Sequence, residues 1–215
     1  MKKRVVAFLK KTRKKISKYL STNRLFLSFV IFSLIETILV RNYTLGNTFA
    51  FKPFICDLAL LILIGSFGYF IKPKNQFKYY FIWLMVVTIM CIVNSVYYVF
   101  YTSFASFSLI AELGLVGEVG DSLTEKFRLI DFIYLLFPFF YIGMHTKLKR
   151  GSYYHFVYKV ENGKKMFGAT LLAGIFVLIF TLVDITGTDA SRLVKQWDRQ
   201  YIVQRFGIVL YHQNA

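Results

Sequence analysis

Cysteine, histidine and acidic residues are all scarce in this 215-residue chain, and each shortage removes a class of chemistry. The two cysteines, Cys56 and Cys91, lie inside apolar stretches, where they read as small buried hydrophobes rather than parts of a disulfide framework or a zinc site. The three histidines, His145, His155 and His212, are scattered, with no H-E-x-x-H spacing to bring two imidazoles to one metal. No glycine-rich phosphate loop opens a helix after a strand, and no nucleophile elbow occurs. Internal repeats and low-complexity linkers are missing too. The residues thus contain no self-contained active site. Acidic residues number 11 against 27 Lys and Arg, for a net charge of +16. Such an excess suits nucleic-acid binding in a soluble protein. Here the positive charges sit between hydrophobic runs, so an anionic lipid surface is the expected partner and nucleic acid is not.

What the chain has in abundance is apolar sequence. Hydrophobic residues make up 56% and the mean hydropathy is +0.52, above the roughly 45–50% apolar content of soluble domains. Five long stretches carry it, at about 25–40, 54–71, 79–101, 129–146 and 166–185. Each approaches the roughly 20 helical residues that cross a hydrocarbon layer of about 30 Å. The first lacks a small-x-small cleavage pattern and is followed by four more, so it reads as an uncleaved anchor. The sequence predicts an all-α integral membrane protein in three parts: a basic cytoplasmic segment at 1–24, a five-span membrane domain at 25–187, and an extracellular juxtamembrane helix at 188–215. Nineteen of the 27 basic residues fall in the N-terminal tail and in the loops at 72–78 and 147–165. The positive-inside rule therefore puts the N-terminus in the cytoplasm and, after five crossings, the C-terminus outside the cell membrane.

Interfacial amphipathic helices are expected at three places. Residues 2–20 combine Lys and Arg with Val5, Leu9, Ile16 and Leu20 at helical spacing, which suits an anionic membrane face or a plain topogenic tail. After the third span, Phe104, Phe107 and Ile110 favour a short surface helix, ended by Gly114, Gly117 and Gly120. After the fifth, Ala190, Val194, Trp197 and Tyr201 form one stripe. Pro138 predicts a kink in the fourth span, and Ala169 with Ala173 offers a small-xxx-small helix contact in the fifth. The tyrosines Tyr153, Tyr154 and Tyr158 suit the headgroup zone. Glu36, Asp57, Asp131 and Asp184 lie near span ends and are expected to snorkel to the interface. Asn94 lies deeper, and either bonds a neighbouring helix or contacts lipid.

The ordered set of segments across 94–139, and again near the C-terminus, resembles the membrane domain of the lipoteichoic acid synthase family of Gram-positive phosphoglycerol transferases. NSVYYVFYTSFASFSL resembles the family's Asn-x-x-Tyr-aromatic pattern and the aromatic surface helix after it. GLVGEVGDSL resembles its glycine-punctuated segment, RLIDFIYLLF its aromatic span opening on an acidic residue, and WDRQYIVQRFGIVLYH the segment beyond the fifth span. The chain departs from the family at Val99 and Ser103, where members often carry a charge pair.

The resemblance implies the anchoring part of a transferase for cell wall biogenesis, whose extracellular sulfatase-like catalytic domain normally continues the same chain. That domain would carry a threonine nucleophile and a divalent metal, with manganese expected, and is expected to be missing here. No catalytic, cofactor or metal residue is assigned within this chain. The lipid implied is phosphatidylglycerol, and the expected lipid or polymer contacts are Asn94, Tyr97, Tyr98, Phe104, Phe107, Asp131, Trp197 and Tyr201. Two alternatives stay open: the membrane domain of a phosphoethanolamine-type transferase, and a stand-alone, non-enzymatic membrane interaction protein.

Overall fold

The computed structural model describes residues 23–46, 50–106, 128–150, 163–195 and 197–213, and these are all-helical apart from short connections. The basic segment at 2–20, Phe107, Ile110 and the glycine-punctuated stretch after them, and Tyr153, Tyr154 and Tyr158 lie outside the described residues. The helices are α1 (Arg24–Leu45), α2 (Phe51–Ser66), α3 (Pro73–Tyr101), α4 (Leu136–Arg150) and α5 (Gly163–Leu182), followed by the short α6 (Gly187–Lys195), α7 (Arg199–Phe206) and α8 (Ile208–Gln213). A 3₁₀ turn at Phe67–Phe70 extends α2, and a 3₁₀ segment at Leu129–Leu135 leads into α4. Five helical stretches are long and apolar enough to cross a membrane: Arg24–Leu45, Phe51–Phe70, Lys74–Tyr101, Leu129–Lys147 and Gly163–Leu182.

Local chemistry sets these boundaries. Pro73 starts α3 at a position whose N–H needs no partner, so the basic stretch at 72–78 is mostly helix rather than turn. Gly46 ends α1 in the left-handed conformation, with φ of 64°, and donates its N–H to the Asn42 carbonyl. Pro138 lies three residues into α4, just after the chain changes from 3₁₀ to α geometry. The proline thus falls where the helix changes type, not deep inside one regular helix.

Packing of the fifth span is inverted relative to a soluble protein. On α5, Leu172, Phe176 and Phe180 are exposed where lipid tails would lie, as is Val183 just after it, while Thr170, Gly174 and Thr181 are buried. Hydrocarbon gives no drive to hide apolar surface, so small residues mark the close contact instead. A methyl group on Gly174 would stand 2.8 Å from the Leu63 side chain. Ala169 and Ala173, the expected contact pair, are exposed; the stripe through Thr170 and Gly174, one residue further along, faces α2.

Contacts at each end of the bundle agree with five alternating crossings. At the end bearing Arg24, Lys72 and Lys147, Tyr69 donates to Asn23 (2.7 Å), Tyr141 donates to the Leu25 carbonyl (3.2 Å), and Phe77 stacks on His145 at 3.8 Å. At the opposite end, Lys52 pairs with Asp184, and Ser95 donates to Asp131. There α7 and α8 turn back and pack against α1 and α2. The tail after the fifth span is therefore not one surface helix. Ala190, Val194 and Trp197 are exposed, Tyr201 is half-buried on the next helix, and Ile202, Val203, Phe206, Ile208 and Tyr211 are buried.

Candidate functional site at the C-terminal end of the bundle

Three buried polar groups hold this end together. The Asn94 side chain, fully buried, donates to the Met90 carbonyl at 2.8 Å and accepts from the Ala105 N–H at 3.0 Å. Its second amide hydrogen faces His212 Nε2 at 2.7 Å, which leaves that nitrogen as the acceptor of a neutral imidazole. Asp131 accepts from the Ser95 hydroxyl at 2.6 Å, from the Arg128 backbone N–H at 2.9 Å and from the Arg128 guanidinium at 3.2 Å. Asp57 lies 3.7 Å from the Arg41 guanidinium, and its other oxygen accepts from the Val209 N–H at 3.0 Å. Two of the three groups thus grip α8 directly.

Burial pushes the His212 imidazole down to about 4, so it stays neutral where an exposed histidine would charge. A depressed folded-state value contributes stability that is complete above the ordinary value near 6.5 and is lost as pH falls toward 4. The bundle is expected to lose about 2 kcal/mol between pH 7 and pH 5 from this group. Thermal unfolding in detergent at both values checks it, and His212→Gln should flatten the difference.

Outside this buried layer lies a charged and aromatic rim. Asp189 accepts the Tyr201 hydroxyl at 2.5 Å, the Thr186 N–H at 3.1 Å and Arg205 at 3.0 Å. Led by the tyrosine hydrogen bond, these contacts hold the carboxyl well below the usual carboxylate range, and they push the Tyr201 phenol up. Gln200 donates to the Thr102 carbonyl and, at 3.3 Å, to the Tyr98 hydroxyl. Arg199 donates to the Phe104 carbonyl at 3.0 Å. The α7 helix is thereby tied to the end of α3.

Against known families, residues 4–214 match the lipoteichoic acid synthase N-terminal domain. The chain belongs to that family. No match is found among curated proteins or among solved structures. This is accordingly the multi-pass membrane domain of a lipoteichoic acid synthase-like protein, as the resemblance implied. Among its described residues no group of three or more His, Cys, Asp and Glu is placed to hold a metal ion.

The expected contact residues of this lipoteichoic acid synthase membrane domain divide into two groups. Asn94, Phe104 and Asp131 are buried struts, so none of them presents a free surface to lipid. Phe104, expected on an interfacial helix, is packed between Tyr98 and Tyr211 in an irregular segment. Tyr97, Tyr98 and Tyr201 are half-buried at the rim, with Tyr97 against Tyr101 at 4.5 Å, and Trp197 is 62% exposed. Phe107 lies outside the described residues.

Snorkelling also needs correction. Glu36, Asp57 and Asp131 are no more than 1% exposed, and only Asp184 reaches the surface. Glu36 accepts from Thr88 at 2.8 Å in the middle of the bundle, because α1 runs on to Leu45 and carries the glutamate inward. Arg41, just past the first apolar stretch as read from sequence, is a buried member of the same helix. The missed signal is the spacing of Ser33, Thr37, Arg41 and Thr44, which forms one polar stripe on a mostly apolar helix.

Proposed function

We propose that this domain anchors an extracellular sulfatase-like phosphoglycerol transferase and delivers lipid or growing polymer to it. The Gram-positive cell membrane is its setting, and phosphatidylglycerol the donor of glycerol phosphate to the polymer. The observation that carries the reading is the seating of α8: the Asp57–Val209 and Asn94–His212 contacts fix the end of the membrane domain. A catalytic domain joined after α8 would leave from a defined point beside the aromatic rim, rather than swing on a loose tether. The basic residues gathered at the opposite end support a cytoplasmic N-terminus and an extracellular C-terminus.

The test uses the full-length protein with Tyr98, Trp197 and Tyr201 changed to alanine. Slower polymer synthesis or shorter chains, with unchanged turnover of a soluble donor by the catalytic domain, are expected. Unchanged rate and chain length would reduce the domain to a plain anchor.

A further inference from the structure

The segment beyond the fifth span contains three carboxylates, and all three are engaged. Asp184 pairs with Lys52 and with Arg205, Asp189 with Arg205 and Tyr201, and Asp198 caps α7 through the Tyr201 N–H at 3.2 Å. Arg192 is different. Its guanidinium carbon lies 4.1 Å from the Tyr201 ring centre and 5.1 Å from that of Trp197, and its Nε is buried beside them. Among the described residues no carboxylate stands within ion-pairing distance of it.

A guanidinium stacked on aromatic faces is desolvated on its flat sides while its N–H donors point outward in plane. Such a fork matches two oxygens of a phosphate, through charge-assisted bonds. The surroundings indicate where that phosphate comes from. Val183, Val194 and Trp197, which flank Arg192 along the chain, are 76%, 80% and 62% exposed, so this part of the tail offers apolar surface suited to the boundary between headgroups and tails. The Tyr201 shelf is itself fixed by its bond to Asp189.

We propose that Arg192, shelved on Trp197 and Tyr201, binds the phosphodiester of an anionic lipid headgroup. This rests on the reading that the rim faces lipid, and it names the group that does the recognising. Arg192 supplies the charge and the fork, Tyr201 and Trp197 keep its side chain extended, and the exposed valines meet the acyl chains.

The experiment uses the chain with Trp83→Phe, leaving Trp197 as the sole tryptophan, in bilayers of phosphatidylcholine titrated with bromine-labelled phosphatidylglycerol. Half-quenching of Trp197 is expected at a mole fraction about tenfold lower than with bromine-labelled phosphatidylcholine, the size of one charge-assisted contact. Arg192→Gln should bring the two curves together, at an unchanged thermal midpoint, and Arg192→Lys should restore only part of the gap. In the chain retaining Arg192, the gap should also narrow as salt is raised. Equal quenching by the two lipids, or a gap that survives Arg192→Gln, overturns the site. So does displacement by millimolar glycerol 1-phosphate, which would make a soluble phosphate the ligand. Loss of the site alongside the polymer defect of the rim variants leaves the delivery reading standing, so the two failures are distinct.

Discussion

Asp57→Ala is expected to destabilise the bundle by about 3–5 kcal/mol, because it leaves the buried Arg41 without its counter-charge. It also removes the acceptor of the Val209 N–H, so α8 should become the first part of the fold to open. Thermal unfolding in detergent measures the first effect, and hydrogen exchange over residues 208–213 the second. The double variant Arg41→Met, Asp57→Leu separates them. Removing both charges should recover most of the lost stability, since well-packed apolar replacements of a buried pair are often neutral. Fast exchange at Val209 should persist, because its acceptor is still gone. A double variant no more stable than the single one would show that the ion pair is not what holds α1 to α2.

The second large effect is at Gly207. Its φ of 86° and ψ of 166° fall in a region essentially reserved for glycine. A methyl group there would come within 2.7 Å of the Asp57 carboxyl carbon and 2.8 Å of the Pro53 carbonyl oxygen. Gly207→Ala therefore combines backbone strain with a steric clash against the group that receives α8, at about 3 kcal/mol or more. Gly46→Ala is the matched control: it too has positive φ, but nothing lies within 4 Å of the added carbon. It should cost only about 1–2 kcal/mol, and α8 should stay protected from protease. Equal protection of α8 in the two variants would contradict the seating of the tail.

The five spans were legible because length and hydropathy alone determine them, and a bilayer demands both. Where α1 ends was not. Arg41 and Asn42 look like a loop opening, yet a buried arginine remains helical when a carboxylate on the next helix, Asp57, stands opposite it. That pairing is set by how two helices face each other, which no local window contains. The same reason hid the Asn94–His212 contact, whose partners are 118 residues apart in sequence. Sequence placed Asn94 too deep for water and left its partner open; the partner proved to be the returning tail and the Ala105 backbone, not another span. Of the contacts expected from the resemblance, Tyr97, Tyr98, Trp197 and Tyr201 lie at the rim. Arg192 was passed over because its significance comes from the rings beneath it and from the carboxylates around it already being taken.

The 3₁₀ opening of the fourth crossing has a consequence for reach. That crossing is the shortest, with 19 residues at Leu129–Lys147, and seven of them, Leu129–Leu135, are wound in the tighter helix. At a rise of about 2.0 Å per residue instead of 1.5 Å, those seven gain roughly 3–4 Å. Drawing out the first two turns lengthens the crossing from just under 30 Å to just over it. The neighbouring Lys74–Tyr101, with 28 residues and about 42 Å of rod, must instead lean or protrude. One membrane thickness is thus met by stretching a short rod and by tilting or overhanging a long one.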